Sequence, residues 1–162
     1  MGTRRRRQSR RSKKRVIKYV PLVDPDVRYP QDKFEKELSS YLKDPDGWGR
    51  KGYAFKQAKT GIEIRLTSPA TINTTCGKDL RNLSCAELGG KHMYLNAMRW
   101  SHGAPESKLE LHDYRQYMVS HEMGHILGHE HVDCPGRGHP APIMMQQTLG
   151  IGQCTPSTRV HV

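Results

Sequence analysis

His121-Glu122-Met123-Gly124-His125-Ile126-Leu127-Gly128-His129-Glu130-His131-Val132-Asp133 is the stretch that decides the fold. It holds the pattern H-E-x-x-H-x-x-G-x-x-H, in which His121, His125 and His131 can converge on one zinc ion with Glu122 beside it as general base. Residues four apart lie one above the other on a helix, so His121 and His125 reach the same point in space. Glu122 is offset by about 100° around the axis, which lets its carboxylate reach a water at the metal rather than the metal itself. Gly128 accepts positive φ, so the helix can stop there and turn the chain back to bring His131 under the ion. Zinc sites that take a third ligand from a distant acid need one well after His125. No Asp or Glu follows Asp133, and Glu130 and Asp133 come too soon. His129, His139 and His161 lack the offset that the Gly128 turn serves, which leaves His131 as the third ligand.

The spacing predicts that the helix bearing the motif runs from 109 or 110 to 127. Leu111, Tyr114 and Met118 form one apolar stripe leading to His121 and His125, while Val119, Met123, Ile126 and Leu127 make the other side apolar too. A helix apolar on both sides is a buried one. Upstream, residues 16–20 read as a strand. Phe34, Leu38, Tyr41 and Leu42 give a core-facing helix over 31–43, followed by a turn-rich link at 44–52. Strands are expected at 53–57, at 62–67, where Ile62, Ile64 and Leu66 alternate, and at 93–96. His102 and His112 lack ligand spacing and read as exposed or hydrogen-bonded histidines. This order predicts an α+β domain over residues 16–162, with a small mixed, mainly one-sided sheet packed on two helices.

Composition limits the remaining possibilities. A chain of 162 residues suits a single core, and its mean hydropathy of −0.80 is that of a polar protein. No apolar run approaches the ~20 residues needed to span a bilayer. Of the 27 Lys and Arg residues, nine (Arg4, Arg5, Arg6, Arg7, Arg10, Arg11, Lys13, Lys14 and Arg15) fall in the first fifteen positions, which carry no acid. The other 18 basic residues nearly balance the 16 acidic ones, so the net charge of +11 belongs to the leader and not to the domain. Repulsion and low hydrophobicity predict a disordered arm over 1–15 until it meets an anion: nucleic acid, an acidic protein surface or anionic lipid. The leader has no apolar core of a secretory signal. Cys76, Cys85, Cys134 and Cys154 allow three pairings. Cys76–Cys85 would close a short loop, and Cys134–Cys154 would tie the segment after His131 to the end of the chain. Bridged cysteines favour a secreted or oxidising compartment. The missing signal leaves free thiols and a nuclear or particle-associated setting open.

Several segments together resemble a known family. Tyr114-Arg115-Gln116-Tyr117 through His131, Cys134-Pro135-Gly136, Ala141-Pro142-Ile143-Met144 and Gln146-Gln147-Thr148 look like a metzincin-type zinc metallopeptidase. They are closest to an uncharacterised metzincin-like domain family common in secreted actinobacterial proteins. Asp44-Pro45-Asp46-Gly47-Trp48, Leu66-Thr67-Ser68-Pro69-Ala70-Thr71, Ser84-Cys85 and Leu95-Asn96-Ala97-Met98-Arg99-Trp100 extend the similarity over about 16–155. The resemblance implies a Met-turn, an apolar floor under the ligating imidazoles. Met144 matches that position best, with Met145 as the alternative, and the Cys134–Cys154 bridge would brace it. It also implies an edge strand beside the cleft that pairs with an extended substrate. Order in the chain puts that edge at 92–100, with Arg99 and Trp100 as candidates to line the cleft. The tyrosine that some metzincins carry after the Met-turn is absent, and Gln146 and Gln147 stand there instead.

The expected activity is peptide hydrolysis with one Zn2+. Three neutral histidines leave an open position for water, whose pKa the ion lowers, and Glu122 moves the proton to the leaving amine. Glu130 or Asp133 are candidates to orient a ligand. The competing reading is a zinc-stabilised structural or binding protein, nucleoprotein-associated, whose basic arm does the binding. A third is a narrow processing enzyme tethered by that arm to an anionic surface.

Overall fold

The alternation of Ile62, Ile64 and Leu66 gives a strand one buried face, and the four-residue stripe on Gln31–Leu42 gives a helix to cover it. A computed structural model of the protein describes residues 12–78, 80 and 82–162. Its strands are β1 (Arg15–Val23), β2 (Tyr53–Gln57), β3 (Ile62–Thr67), β4 (Cys85–Ala86) and β5 (His92–Asn96). Its helices are α1 (Gln31–Leu42), α2 (Pro69–Cys76), α3 (Ala97–His102) and α4 (Leu111–Ile126). The sheet order is β2-β1-β3-β5-β4. Four strands are parallel, and only β4 runs antiparallel, against β5. This is an α+β domain with a mixed five-stranded sheet.

β2 and β3 pair with successive halves of β1 on its two sides, Arg15 facing Tyr53 and Val23 facing Leu66. The inward residues Tyr19, Ile64, Leu66, Met93 and Leu95 join Phe34 and Leu38 of α1 and Tyr114, Met118 and Met123 of α4 in one core. On β3 and β5 the alternate residues Glu63, Arg65, His92 and Tyr94 are only partly buried, and Arg65 bridges Asp24 at 3.0 Å and Glu63 at 3.3 Å. The sheet is therefore one-sided over these strands, with the two long helices on the buried face.

Two short helices and one strand were not foreseen. α2 starts on a Ser68 cap, whose Oγ accepts from the Thr71 amide, with Pro69 at the first position. The Asn96 side chain caps α3 by accepting from the amides of Met98 and Arg99. Cys76 and Cys85 are bridged, joining the end of α2 to β4, and Cys134 is bridged to Cys154. No helix among the described residues is long and apolar enough to cross a membrane. Arg4, Arg5, Arg6, Arg7, Arg10 and Arg11, and with them most of the expected arm, lie outside the described residues. Lys13, Lys14 and Arg15 are exposed, and Arg15 already pairs as the first residue of β1, one position before the expected domain boundary.

Candidate metal centre

α4 is buried without a break from Gln116 to Gly124, so its histidines are presented from the core and not from a surface helix. Its C-terminus is a Schellman cap. The Gly128 amide donates to the His125 carbonyl at 2.9 Å and the His129 amide to the Gly124 carbonyl at 2.8 Å, with Gly128 at φ 95°. Only that left-handed residue lets the chain reverse within a single turn. The reversal has a second effect. It brings the His129 carbonyl to His125, whose Nδ1–H donates to it at 2.8 Å. The cap that ends the helix thus orients the His125 ring.

The turn 142–147 orients the rest. Four successive carbonyls there each accept a hydrogen bond. Pro142 O accepts from the Met145 amide at 3.0 Å, and Ile143 O accepts from His121 Nδ1–H at 2.8 Å. Met144 O accepts from the Val132 amide at 3.1 Å, immediately after His131, and Met145 O accepts from the Tyr117 hydroxyl at 3.0 Å. Met144 itself is buried against α4. A Cβ added to Gly124 would collide with its sulfur and lie 2.9 Å from the Trp48 ring. Gly124 is thus a cradle for Met144, which packs under the helix. Met145 packs elsewhere, in a small cluster with Ala141, Ile151 and the Cys134–Cys154 bridge.

His121, His125 and His131 meet. One ring nitrogen of each lies within 4.8 Å of the others, and the Nε2 atoms of His125 and His131 are 3.0 Å apart. Because Nδ1 of His121 and of His125 donates to a carbonyl, the Nε2 lone pairs are left facing the common point. Three neutral imidazoles, those of His121 and His125 with their tautomers fixed, fit a divalent metal ion, and this group could hold one. Burial lowers the His121 pKa to about 3, against the raising effect of its bond to Ile143, and the neighbouring His125 and His131 lower it further. Burial also lowers those of His125 and His131. All three therefore favour the neutral, ligating form.

Glu122 is buried as well, and its Oε2 has no hydrogen-bond partner. Desolvation alone pushes its pKa up to about 8. A buried, unpartnered carboxylate is costly in a structural helix, so it marks a place where a proton or a cation is expected. A cavity of about 340 Å³ opens beside it. Tyr114, Tyr117, Met118 and the three histidines form one wall, Leu80, Leu83, Cys85, Ala86 and Leu88 the other, and Gln146 and Thr148 also line it.

Some expected positions are elsewhere. The edge beside the cavity is β4 and not the segment 92–100, because β4 covers β5 by antiparallel pairing. Trp100 is fully buried between Phe34 and Tyr41, ring centroids 5.3 and 5.7 Å away, and Arg99 bonds the Asn82 and Gly103 carbonyls. Neither lines the cavity. Glu130 lines the cavity but is exposed, as is Asp133, and backbone carbonyls orient His121 and His125 in their stead. His102 and His112 are exposed, with His112 Nδ1 3.3 Å from the Tyr41 hydroxyl. Gln147 points away, donating to the Pro142 and Ser157 carbonyls.

Polar wall residues that the motif does not point to include Tyr114, Tyr117 and Thr148. Tyr114 bonds Thr148 at 2.8 Å, and Tyr117 lies with its ring centroid 5.2 Å from that of His121. Burial, with Glu122 nearby, raises the Tyr117 pKa well above the ordinary tyrosine value, so its hydroxyl stays protonated. The signal was available: Tyr114 lies on the stripe that leads to His121, and Tyr117 stands four residues before His121 on the same helix.

No curated protein and no solved structure matches the chain. A family model described as a protein of unknown function (DUF3152) matches residues 6–157. That match takes in both walls of the cavity, all three histidines and the turn beneath them, and on its extent the chain belongs to the DUF3152 family.

Proposed function

We propose that the protein is a zinc-dependent metallopeptidase of metzincin type. The observation that carries the reading is the convergence of three neutral imidazoles beside a buried, unpartnered carboxylate at the wall of a cavity. Two disulfides fit an oxidising compartment, which supports a secreted setting for the enzyme. His121, His125 and His131 would hold the ion through Nε2. Zinc, when bound, would supply a Lewis acid that lowers the pKa of water and polarises a carbonyl.

The chain's own residues do the rest. Glu122 Oε2 has no competing partner, so it can take a proton from water and pass it to the leaving amine. Its low-dielectric surroundings raise its affinity for that proton between the two transfers. β4, the edge strand of the sheet at the cavity, offers backbone groups to an extended peptide. Gln146 lines the same cavity and its amide can donate to a substrate carbonyl oxygen, where the expected tyrosine is missing.

A second reading is a zinc-stabilised binding protein whose basic arm contacts nucleic acid or another anionic surface. It is favoured by the exposure of Lys13, Lys14 and Arg15 and by the engagement of both cavity-wall tyrosine hydroxyls with the loop 145–148. Digestion of a broad peptide library separates the two. Cleavage that stops on chelation and returns with zinc is expected. A library left intact by zinc-loaded protein that binds nucleic acid in a salt-dependent way would favour the second reading.

A further inference from the structure

We infer that Tyr117 is a positioning residue of the three-histidine centre, acting through the turn 142–147 and not on metal or substrate. The inference rests on the metal-site reading above, but not on peptidase activity.

Tyr117 precedes His121 by one helical turn, so both side chains leave α4 on the same face. Its ring packs beside the His121 ring, and its hydroxyl is used twice. It donates to Met145 O at 3.0 Å and accepts the Gln147 amide at 2.9 Å. The residue is 3% exposed, so neither bond is readily replaced by water. Two residues before Met145, the Ile143 carbonyl accepts from His121 Nδ1–H and so selects the tautomer that leaves Nε2 free. Between them, Met144 occupies the Gly124 cradle, and its carbonyl holds the chain just after His131. One phenol oxygen on α4 therefore fixes the loop that sets His121 directly and His131 through Val132. The hydroxyl's only hydrogen is committed to Met145 O, which argues for a role on the turn. The Tyr114–Thr148 bond pins the loop slightly further along, beyond the carbonyls that face the histidines.

Tyr117→Phe removes the hydroxyl and keeps the ring. Tyr41→Phe is the matched control, because Tyr41 is equally buried in the core and bonds His112, away from the turn. In metal-free protein, nitrogen NMR of the imidazoles is expected to show His121 as a single Nδ1–H tautomer in wild type and Tyr41→Phe. Tyr117→Phe should show a mixture. Zinc affinity, read by competition with a chromophoric chelator, is expected to fall roughly 10–100-fold in Tyr117→Phe and to hold in the control. A single tautomer with unchanged zinc affinity in Tyr117→Phe overturns the inference. Equal losses in both variants, or a Tyr117→Phe chain that does not fold, would reduce Tyr117 to a structural role. A wild type that binds no zinc would count against the metal reading itself, and the tautomer comparison would still decide the role of Tyr117.

Discussion

Glu122 and His121 are neighbours with opposite responses to burial, and this gives the metal-free protein a characteristic pH profile. Glu122 has a folded pKa of about 8 against an ordinary 4.5, so its contribution to stability is fully present below 4.5 and is lost as pH rises through 8. His121 has a folded pKa of about 3 against 6.5, so its contribution is present above 6.5 and is lost as pH falls through 3. The two trends oppose each other between 4.5 and 6.5. Thermal midpoints of chelator-treated protein should therefore be highest in that window and fall on both sides. Glu122→Gln should flatten the alkaline limb between 6.5 and 8 and leave the acid limb. An alkaline decline as steep in Glu122→Gln as in wild type would contradict the assignment. At this scale the convergence of the three histidines was legible, because helical pitch and a glycine offset are written in residue types. The groups that orient His121 and His125 were not. They are the carbonyls of Ile143 and His129, and a backbone carbonyl has no signature in sequence.

The meeting of α4 with the turn beneath it depends on Gly124. Glycine inside a helix costs about 1 kcal/mol relative to alanine, and here the cost has a packing reason. Gly124→Ala would gain that helix propensity but drive a methyl into Met144 and the Trp48 ring. Met144 can swing aside. Trp48 is held by its Nε1–H bond to Ser120 O at 2.8 Å and cannot move freely. Overpacking of this kind costs about 1–3 kcal/mol, so a lower thermal midpoint and weaker zinc binding are expected. A more stable Gly124→Ala with unchanged zinc affinity would show that the cradle is unimportant. Long periodic elements were readable: β2 and β3 at their observed bounds, and α1 and α4 to within a residue or two. β4 was missed because two residues have no periodicity. The position of the edge followed from that miss, since chain order does not reveal that β4 returns to cover β5. α2 had a readable start in Ser68-Pro69 but no strong apolar stripe behind it.

Across the whole molecule, the two disulfides divide the support of the cavity between them. Cys76–Cys85 closes the segment carrying Leu80 and Leu83 on one wall, whereas Cys134–Cys154 spans the turn under the histidines. Loop-closure entropy makes each bridge contribute roughly 3 kcal/mol, so stability alone will not separate them. Zinc affinity should. Replacing Cys134 and Cys154 with serine is expected to weaken zinc binding, and replacing Cys76 and Cys85 to leave it near the wild-type value. Wild-type zinc affinity in the Cys134/Cys154 variant would remove the bridge from the account of the site. The pairings were legible from loop closure and from the position of the cysteines around the motif. The arm was legible only as charge, and most of it lies outside the described residues. In the proposed function, the chain holds zinc with three histidines and uses Glu122 to hydrolyse peptides. Zinc content and peptide-library cleavage measured on the same samples of wild type and Glu122→Ala test it most directly. One zinc per chain in both, with cleavage in wild type and its loss in Glu122→Ala, is the predicted result; equal cleavage rates in the two proteins would contradict it.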